Sequence, residues 1–124
     1  MGSLLQIDGL KVQIGQQTIC EALELDIKPG QSWALLGRNG AGKSTLMDSI
    51  VGLIRPWDGD IFYNRRRINR VTPEDILRIG IALVPEGRRI FASLTVLENL
   101  FVGAFIERRP RLVEERLKAV FEFF

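Results

Sequence analysis

Residues 37–45 run Gly37-Arg38-Asn39-Gly40-Ala41-Gly42-Lys43-Ser44-Thr45, and so fit the pattern G-x-x-x-x-G-K-[ST]. Glycines lack a Cβ, so the backbone can wrap closely round an anion and turn successive N–H groups inward as a nest for phosphate oxygens. Lys43 then supplies a cation for the β and γ oxygens of a triphosphate, and the Ser44 hydroxyl supplies a ligand for Mg²⁺. All of residues 37–45 are candidate nucleotide-binding residues, with Lys43 the candidate catalytic cation.

Such a loop works only if it is held between the right elements. Ser32-Trp33-Ala34-Leu35-Leu36 is a short apolar run that predicts a buried strand, with Trp33 packed in the core. Behind the loop, Leu46, Met47, Ile50 and Val51 recur as one face of a helix. The order strand, glycine loop, helix sets a helix N-terminus against phosphate. Upstream, Leu4–Ile7 and Lys11–Ile14 read as two short strands around Asp8-Gly9. A further strand carries Ile19, Leu23, Leu25 and Ile27 on one side and Glu24 and Asp26 on the other, and Pro29-Gly30 closes it with a turn.

Downstream, Gly52 and Arg55-Pro56-Trp57-Asp58-Gly59 break the pattern, and Asp60–Tyr63 predicts a strand followed by a solvated basic turn at Arg65-Arg66-Arg67 and Arg70. Thr72-Pro73-Glu74-Asp75 starts a short helix that Gly80 stops. Ile81-Ala82-Leu83-Val84 is a continuous apolar run of the kind buried in a parallel sheet. Thr95-Val96-Leu97-Glu98 is a capping box ahead of Leu100, Phe101, Ala104 and Phe105. Pro110 interrupts, and a second amphipathic stripe runs from Leu112 to Phe124. The predicted architecture is α/β: a P-loop NTPase core with antiparallel N-terminal strands over residues 1–90, then the start of a helical subdomain over 91–124.

At 124 residues with 46% hydrophobic content, the chain holds one domain's worth of core. No apolar run is long enough to span a bilayer and the N-terminus lacks a signal-peptide layout, so a membrane role is expected to come through a partner. Met1-Gly2 begins like a myristoylation site, but Gln6 stands where Ser or Thr is required. The single Cys20 reads as a small buried residue in a reducing compartment. A net charge of +2 makes no electrostatic case for nucleic acid.

Three segments together carry a resemblance: Leu36–Leu46, then Gly52-Leu53 with Pro56 and Gly59, and finally Val84-Pro85-Glu86-Gly87-Arg88-Arg89-Ile90-Phe91 with Leu94–Leu100. They resemble an ATP-binding cassette (ABC) ATPase, and the stretch from Val84 to Leu100 is especially similar to the cassette subunits of branched-chain amino-acid importers. The resemblance implies ATP and Mg²⁺ as ligands, and coupling of ATP binding and hydrolysis to uptake of amino acids, the branched-chain class foremost. It implies membrane-embedded permease subunits and a second cassette subunit as partners, and a cytoplasmic place on the inner face of the membrane. Glu86 matches the hinge position that senses Mg²⁺ and γ-phosphate, where the family usually has Gln; a carboxylate can offer oxygen to the metal but cannot donate a hydrogen bond. Ile14 stands at the position of the aromatic residue that stacks on adenine, which leaves apolar cover without stacking and the choice of adenine over guanine open.

The resemblance covers the N-terminal half of a cassette. Hydrolysis also needs a carboxylate on the metal's shell and a group to polarise the attacking water. In the family these come from an apolar strand ending in Asp-Glu and from a histidine, and a Ser-Gly-Gly signature loop closes over the partner's ATP. The chain has no histidine and no Ser-Gly-Gly. Ile81–Glu86 could be read as the apolar strand and acid, but Pro85 and the downstream Arg-Arg-Ile-Phe favour the hinge assignment. Three readings stay open: the energising subunit of an importer as a truncated product, a small P-loop kinase or GTPase, and a nucleotide-binding module without turnover.

Overall fold

The computed structural model describes residues 2–124, which fall into two units, the first through Leu83 and the second Val84–Phe124. The first unit is built on a four-stranded antiparallel sheet in the order β2-β1-β3-β4. Its strands are β1 (Leu5–Ile14), β2 (Gln17–Ile27), β3 (Asp58–Tyr63) and β4 (Arg66–Arg67). Two helices belong to it, α1 (Lys43–Ile50) and α2 (Pro73–Ile79).

One face of the sheet makes the core. Ile7, Leu10, Val12 and Ile61 are fully buried on it, and Leu46 and Ile50 from α1, Ile68, and Ile76 from α2 close over them. Alternation in β1 is reset at Gly9, where the pairing slips: Ile7 faces Leu25, but Leu10 faces Leu23. The two short strands expected around Asp8-Gly9 are therefore one strand with a bulge, and the Gly9 N–H donates to the Glu24 carboxylate at 2.7 Å.

A second irregularity lies opposite. Ala22 has φ of 52°, so Cys20 and Leu23 both face inward, paired with Val12 and Leu10. The expectation that Ile19 shares the face of Leu23 is corrected: the bulge inserts a residue and hands the core position to Cys20. Burial pushes the Cys20 thiol above its ordinary value, and its Sγ lies 3.8 Å from the Leu10 carbonyl, so it is a neutral packing group.

The basic turn is a tight hairpin. Asn64 and Arg65 both have positive φ, at 48° and 67°, the signature of the primed turn that matches strand twist. Arg66 and Arg67 pair back onto Tyr63 and Phe62, and Arg67 bridges to Asp60. The helix expected after Thr72 forms as read: the Thr72 hydroxyl accepts from the Asp75 N–H, Pro73 takes the first position, and Gly80 ends it in the left-handed conformation.

Two expected strands do not form. Ser32–Leu36 and Ile81–Val84 carry no ladder hydrogen bonds, and Leu36 and Val84 are 89% and 92% exposed. An apolar run becomes a strand only when a neighbour satisfies its backbone laterally, and among the described residues none pairs with either run. Trp33, expected in the core, is 57% exposed, with its indole N–H donating to the Gln31 side chain at 3.1 Å.

The second unit contains α3 (Val96–Gly103) and α4 (Pro110–Phe123). The capping box is complete at Thr95 and Glu98, and Pro110 opens α4 at its first turn. No side chain here is fully buried. The helices flank a cleft of about 300 Å³ lined by Leu100, Ala104, Val113, Leu117 and Val120. At its edge Glu107 pairs with Arg109 at 2.8 Å and Arg116 at 3.8 Å.

Candidate nucleotide-binding site

Residues 37–45 form a loop that runs directly into α1. Gly40 and Gly42 have φ of 82° and 97°, conformations that side chains resist, and Gly42 is the helix N-cap residue. The Leu46 N–H donates to the Gly42 carbonyl at 2.9 Å, which starts the helix, and the Ala41 N–H donates to the Arg38 carbonyl at 3.0 Å, which closes the loop behind it. The sharp turn leaves the first N–H groups of α1 without carbonyl partners in their own helix, as at any helix start, and the positive end of the helix dipole adds to them.

Two of the loop's glycines, Gly37 and Gly42, stand close against neighbouring atoms, whereas Gly40 faces open space. A Cβ on Gly37 would lie 3.3 Å from the Ala41 Cβ and 3.8 Å from the Lys43 Nζ, and one on Gly42 would lie 2.7 Å from the Ile19 Cγ2. Lys43 folds back across the loop, its ammonium donating to the Gly37 carbonyl and, at 3.0 Å, to the Arg38 carbonyl. Its charge therefore sits where the loop converges. Ser44 is exposed in the first turn of α1, and Thr45 is half-buried with its carbonyl accepting from the Ser49 hydroxyl at 2.8 Å. A cradle of this kind, cationic and lined by backbone, fits a phosphate chain.

The two other candidate residues lie apart from the loop in sequence. Ile14 ends β1 opposite Gln17, two residues along β2 from Ile19, and at 51% exposed it offers apolar surface. Glu86 is an exposed turn residue of the second unit, just before Gly87 at φ 82°. Among the described residues no three His, Cys, Asp or Glu side chains converge to hold a metal.

Sequence reasoning missed two features. Ile19 backs the loop through its contact line with Gly42, a role visible only once the Ala22 bulge turns it out of the core. Asn99, in α3, accepts from the Phe91 N–H at 2.9 Å, and the two hydrogens of its amide nitrogen are shared among the carbonyls of Phe91, Leu94 and Thr95 at 3.0, 3.2 and 2.9 Å. An asparagine one turn beyond a capping box was the available signal.

A glycine loop running into a helix beside an antiparallel sheet is the arrangement found in ATP-binding cassettes. A family model described as ABC transporter matches residues 20–123, and the chain belongs to that family. It is 37% identical over 102 residues to the high-affinity branched-chain amino acid transport ATP-binding protein BraG of Pseudomonas aeruginosa, covering 82% of this chain and 44% of that one. It is 36% identical over 108 residues to the ribose import ATP-binding protein RbsA 2 of Rubrobacter xylanophilus, covering 87% of this chain and 20% of that one. A solved structure described as the ATP-binding subunit of an ABC transporter matches with a TM-score of 0.83 at 31% identity, covering 97% of this chain and 50% of that one. The chain thus spans half or less of the length of these relatives.

Proposed function

We propose that the chain binds Mg-ATP on residues 37–45 as the nucleotide-binding part of an ABC importer's ATP-binding subunit. The observation that carries this reading is the Lys43 ammonium held over the carbonyls of Gly37 and Arg38 at the start of α1. In this reading the N–H groups of the loop other than that of Ala41 would take the phosphate oxygens, Lys43 would serve the β and γ oxygens, and the Ser44 hydroxyl would offer an oxygen to Mg²⁺, while Glu86 is proposed as a metal-sensing residue on the family resemblance alone. Bound Mg²⁺ neutralises charge on the terminal phosphates. Ile14 covers one face of the base by apolar contact.

Further partners follow from the same reading. A permease and a second cassette subunit complete the transporter at the inner face of the membrane, and no described helix is long and apolar enough to cross a membrane itself. Arg88, Arg89 and the Phe91–Leu100 region are the proposed docking surface. The solute is proposed to be a branched-chain amino acid, supported by the Pro85–Phe91 run and by the name of the Pseudomonas relative. A sugar is the second reading, favoured by the ribose importers among the relatives.

The test is calorimetric titration of Mg-ATP into the wild type and Lys43→Ala. The variant should keep its circular dichroism spectrum and lose most of its ATP affinity, more than about tenfold, as expected for a charge-assisted contact. Equal affinity in the two proteins would reject the site.

A further inference from the structure

The phosphate loop holds a second cation that the motif does not explain. From Pro29 to Met47 the only charged residues are Arg38 and Lys43, so the segment carries two positive charges and no acid. Arg67, Arg78, Arg109, Arg111 and Arg116 each have a carboxylate within 4.0 Å, whereas Arg55, Arg65, Arg66, Arg70, Arg88, Arg89 and Arg108 have none among the described residues; of the unpaired arginines Arg38 alone lies in the phosphate loop. Arg38 is exposed and has no ion-pair partner among the described residues.

Its position is fixed where it counts. The Arg38 carbonyl accepts from the Ala41 N–H at 3.0 Å and from the Lys43 ammonium at 3.0 Å, so the backbone at 38 is tied to both the loop and the lysine. With standard bond lengths, the Arg38 Cα lies within roughly 5.5 Å of the Lys43 nitrogen. The guanidinium therefore springs from the point at which the lysine charge is delivered, on a stem long enough to reach the same phosphate. Its planar fork can grip two oxygens of one phosphate, which an ammonium cannot do.

We propose that the Arg38 side chain is a second phosphate-directed cation, one that favours nucleoside triphosphate over diphosphate. The inference rests on the phosphate-loop reading of residues 37–45 and adds a specificity determinant to it. Lys43 and the N–H nest serve both nucleotides. Arg38, on the exposed lip, gains a partner only when the terminal phosphate is present. Because solvent screens an exposed pair, the expected effect is modest, about two- to fivefold in affinity.

The experiment titrates Mg-ATP and Mg-ADP into the full chain as wild type, Arg38→Ala, Arg38→Lys, Arg65→Ala and Lys43→Ala. Arg65→Ala removes the same charge from the exposed β3–β4 turn and controls for net charge alone. Arg38→Ala should weaken ATP about two- to fivefold and leave ADP within experimental error, with Arg38→Lys between it and the wild type. Arg65→Ala should match the wild type for both ligands. Equal weakening of ATP and ADP by Arg38→Ala, no weakening of either, or the same effect from Arg65→Ala would overturn the proposal. Should Arg38→Ala lose its helical signal, Arg38→Gln, which keeps the stem, is read by the same criteria. Undiminished ATP affinity in Lys43→Ala, or no ATP binding by the wild type, would instead overturn the underlying site.

Discussion

Gly42 and Ile19 meet with no space between them: a Cβ on the glycine would stand 2.7 Å from the Ile19 Cγ2 and 3.2 Å from its carbonyl oxygen. The start of α1 is thereby fitted against β2, and the phosphate loop inherits its position from the sheet. Gly42→Ala should be doubly costly, since φ of 97° is forced on a side chain and the methyl collides with Ile19. The backbone strain alone is of order 1–3 kcal/mol. Urea unfolding should show that loss, and Ile19→Ala in the same chain should restore only part of it, because the Ile19 carbonyl remains in the way. Full restoration would mean that the backbone at 42 is not strained.

The sequence made the loop and its helix readable because both depend on local chemistry: glycines where the backbone turns, a lysine behind them, apolar residues at helical spacing. The caps at Thr72 and Thr95 and the stop at Gly80 were readable for the same reason. Ser32–Leu36 and Ile81–Val84 misled because an apolar run reports hydrophobicity, whereas a strand requires a paired neighbour. The exchange of Ile19 for Cys20 on the core face turned on one bulge residue, Ala22, whose positive φ has no signature in an alanine. The roles of Ile14 and Glu86 came from resemblance alone, and they remain proposals about an exposed strand end and an exposed turn.

The second unit should weaken in acid through Glu107. Its side chain is only 12% exposed, and hydrogen bonds from the Arg109 side chain and backbone N–H, with the charges of Arg109 and Arg116 beside it, hold its carboxyl down to about 2. A carboxyl with a lowered folded pKa stabilises above the ordinary glutamate range and loses that contribution as pH falls from about 4.5 to about 2. Glu98, lowered by the Thr95 N–H and hydroxyl, acts in the same direction. Glu107→Gln should have a lower melting temperature than the wild type at pH 7, and the gap should close as the pH approaches about 2. A gap that stays constant across that range would show that the carboxylate charge is not what holds the two arginines.

Asn99 should govern the order of the segment before α3. One amide joins the N–H and carbonyl of Phe91 to the carbonyls of Leu94 and Thr95. Asn99→Ala removes all of these, at a cost on the order of 1–2 kcal/mol. Amide exchange at Phe91 and chymotryptic cleavage beside it should accelerate while α3, capped independently by Thr95 and Glu98, keeps its helical signal. Asn99→Asp keeps the acceptor for the Phe91 N–H but turns a negative oxygen toward three carbonyls, so it should protect the segment no better than alanine. Wild-type protection in the aspartate variant would show that the donated hydrogen bonds carry no weight.

The first unit leaves a cleft of about 310 Å³ lined by Leu23, Leu25, Trp33, Leu35, Ile81 and Leu83 among others, beside backbone that pairs with no strand among the described residues. Apolar surface of this extent, flanked by extended chain, attracts dyes and other chains alike. A chain of these 124 residues should therefore enhance the fluorescence of an anilinonaphthalene sulfonate probe under native conditions and sediment with concentration-dependent mass. Leu35→Ser places a hydroxyl in the cleft wall, outside the phosphate loop, and should reduce both signals while leaving ATP affinity unchanged. A protein that stays monomeric at high concentration and leaves the probe dark would show that the cleft closes on itself in solution. In that case Trp33 emission should be blue-shifted, as for an indole withdrawn from water, instead of matching the half-exposed ring seen here.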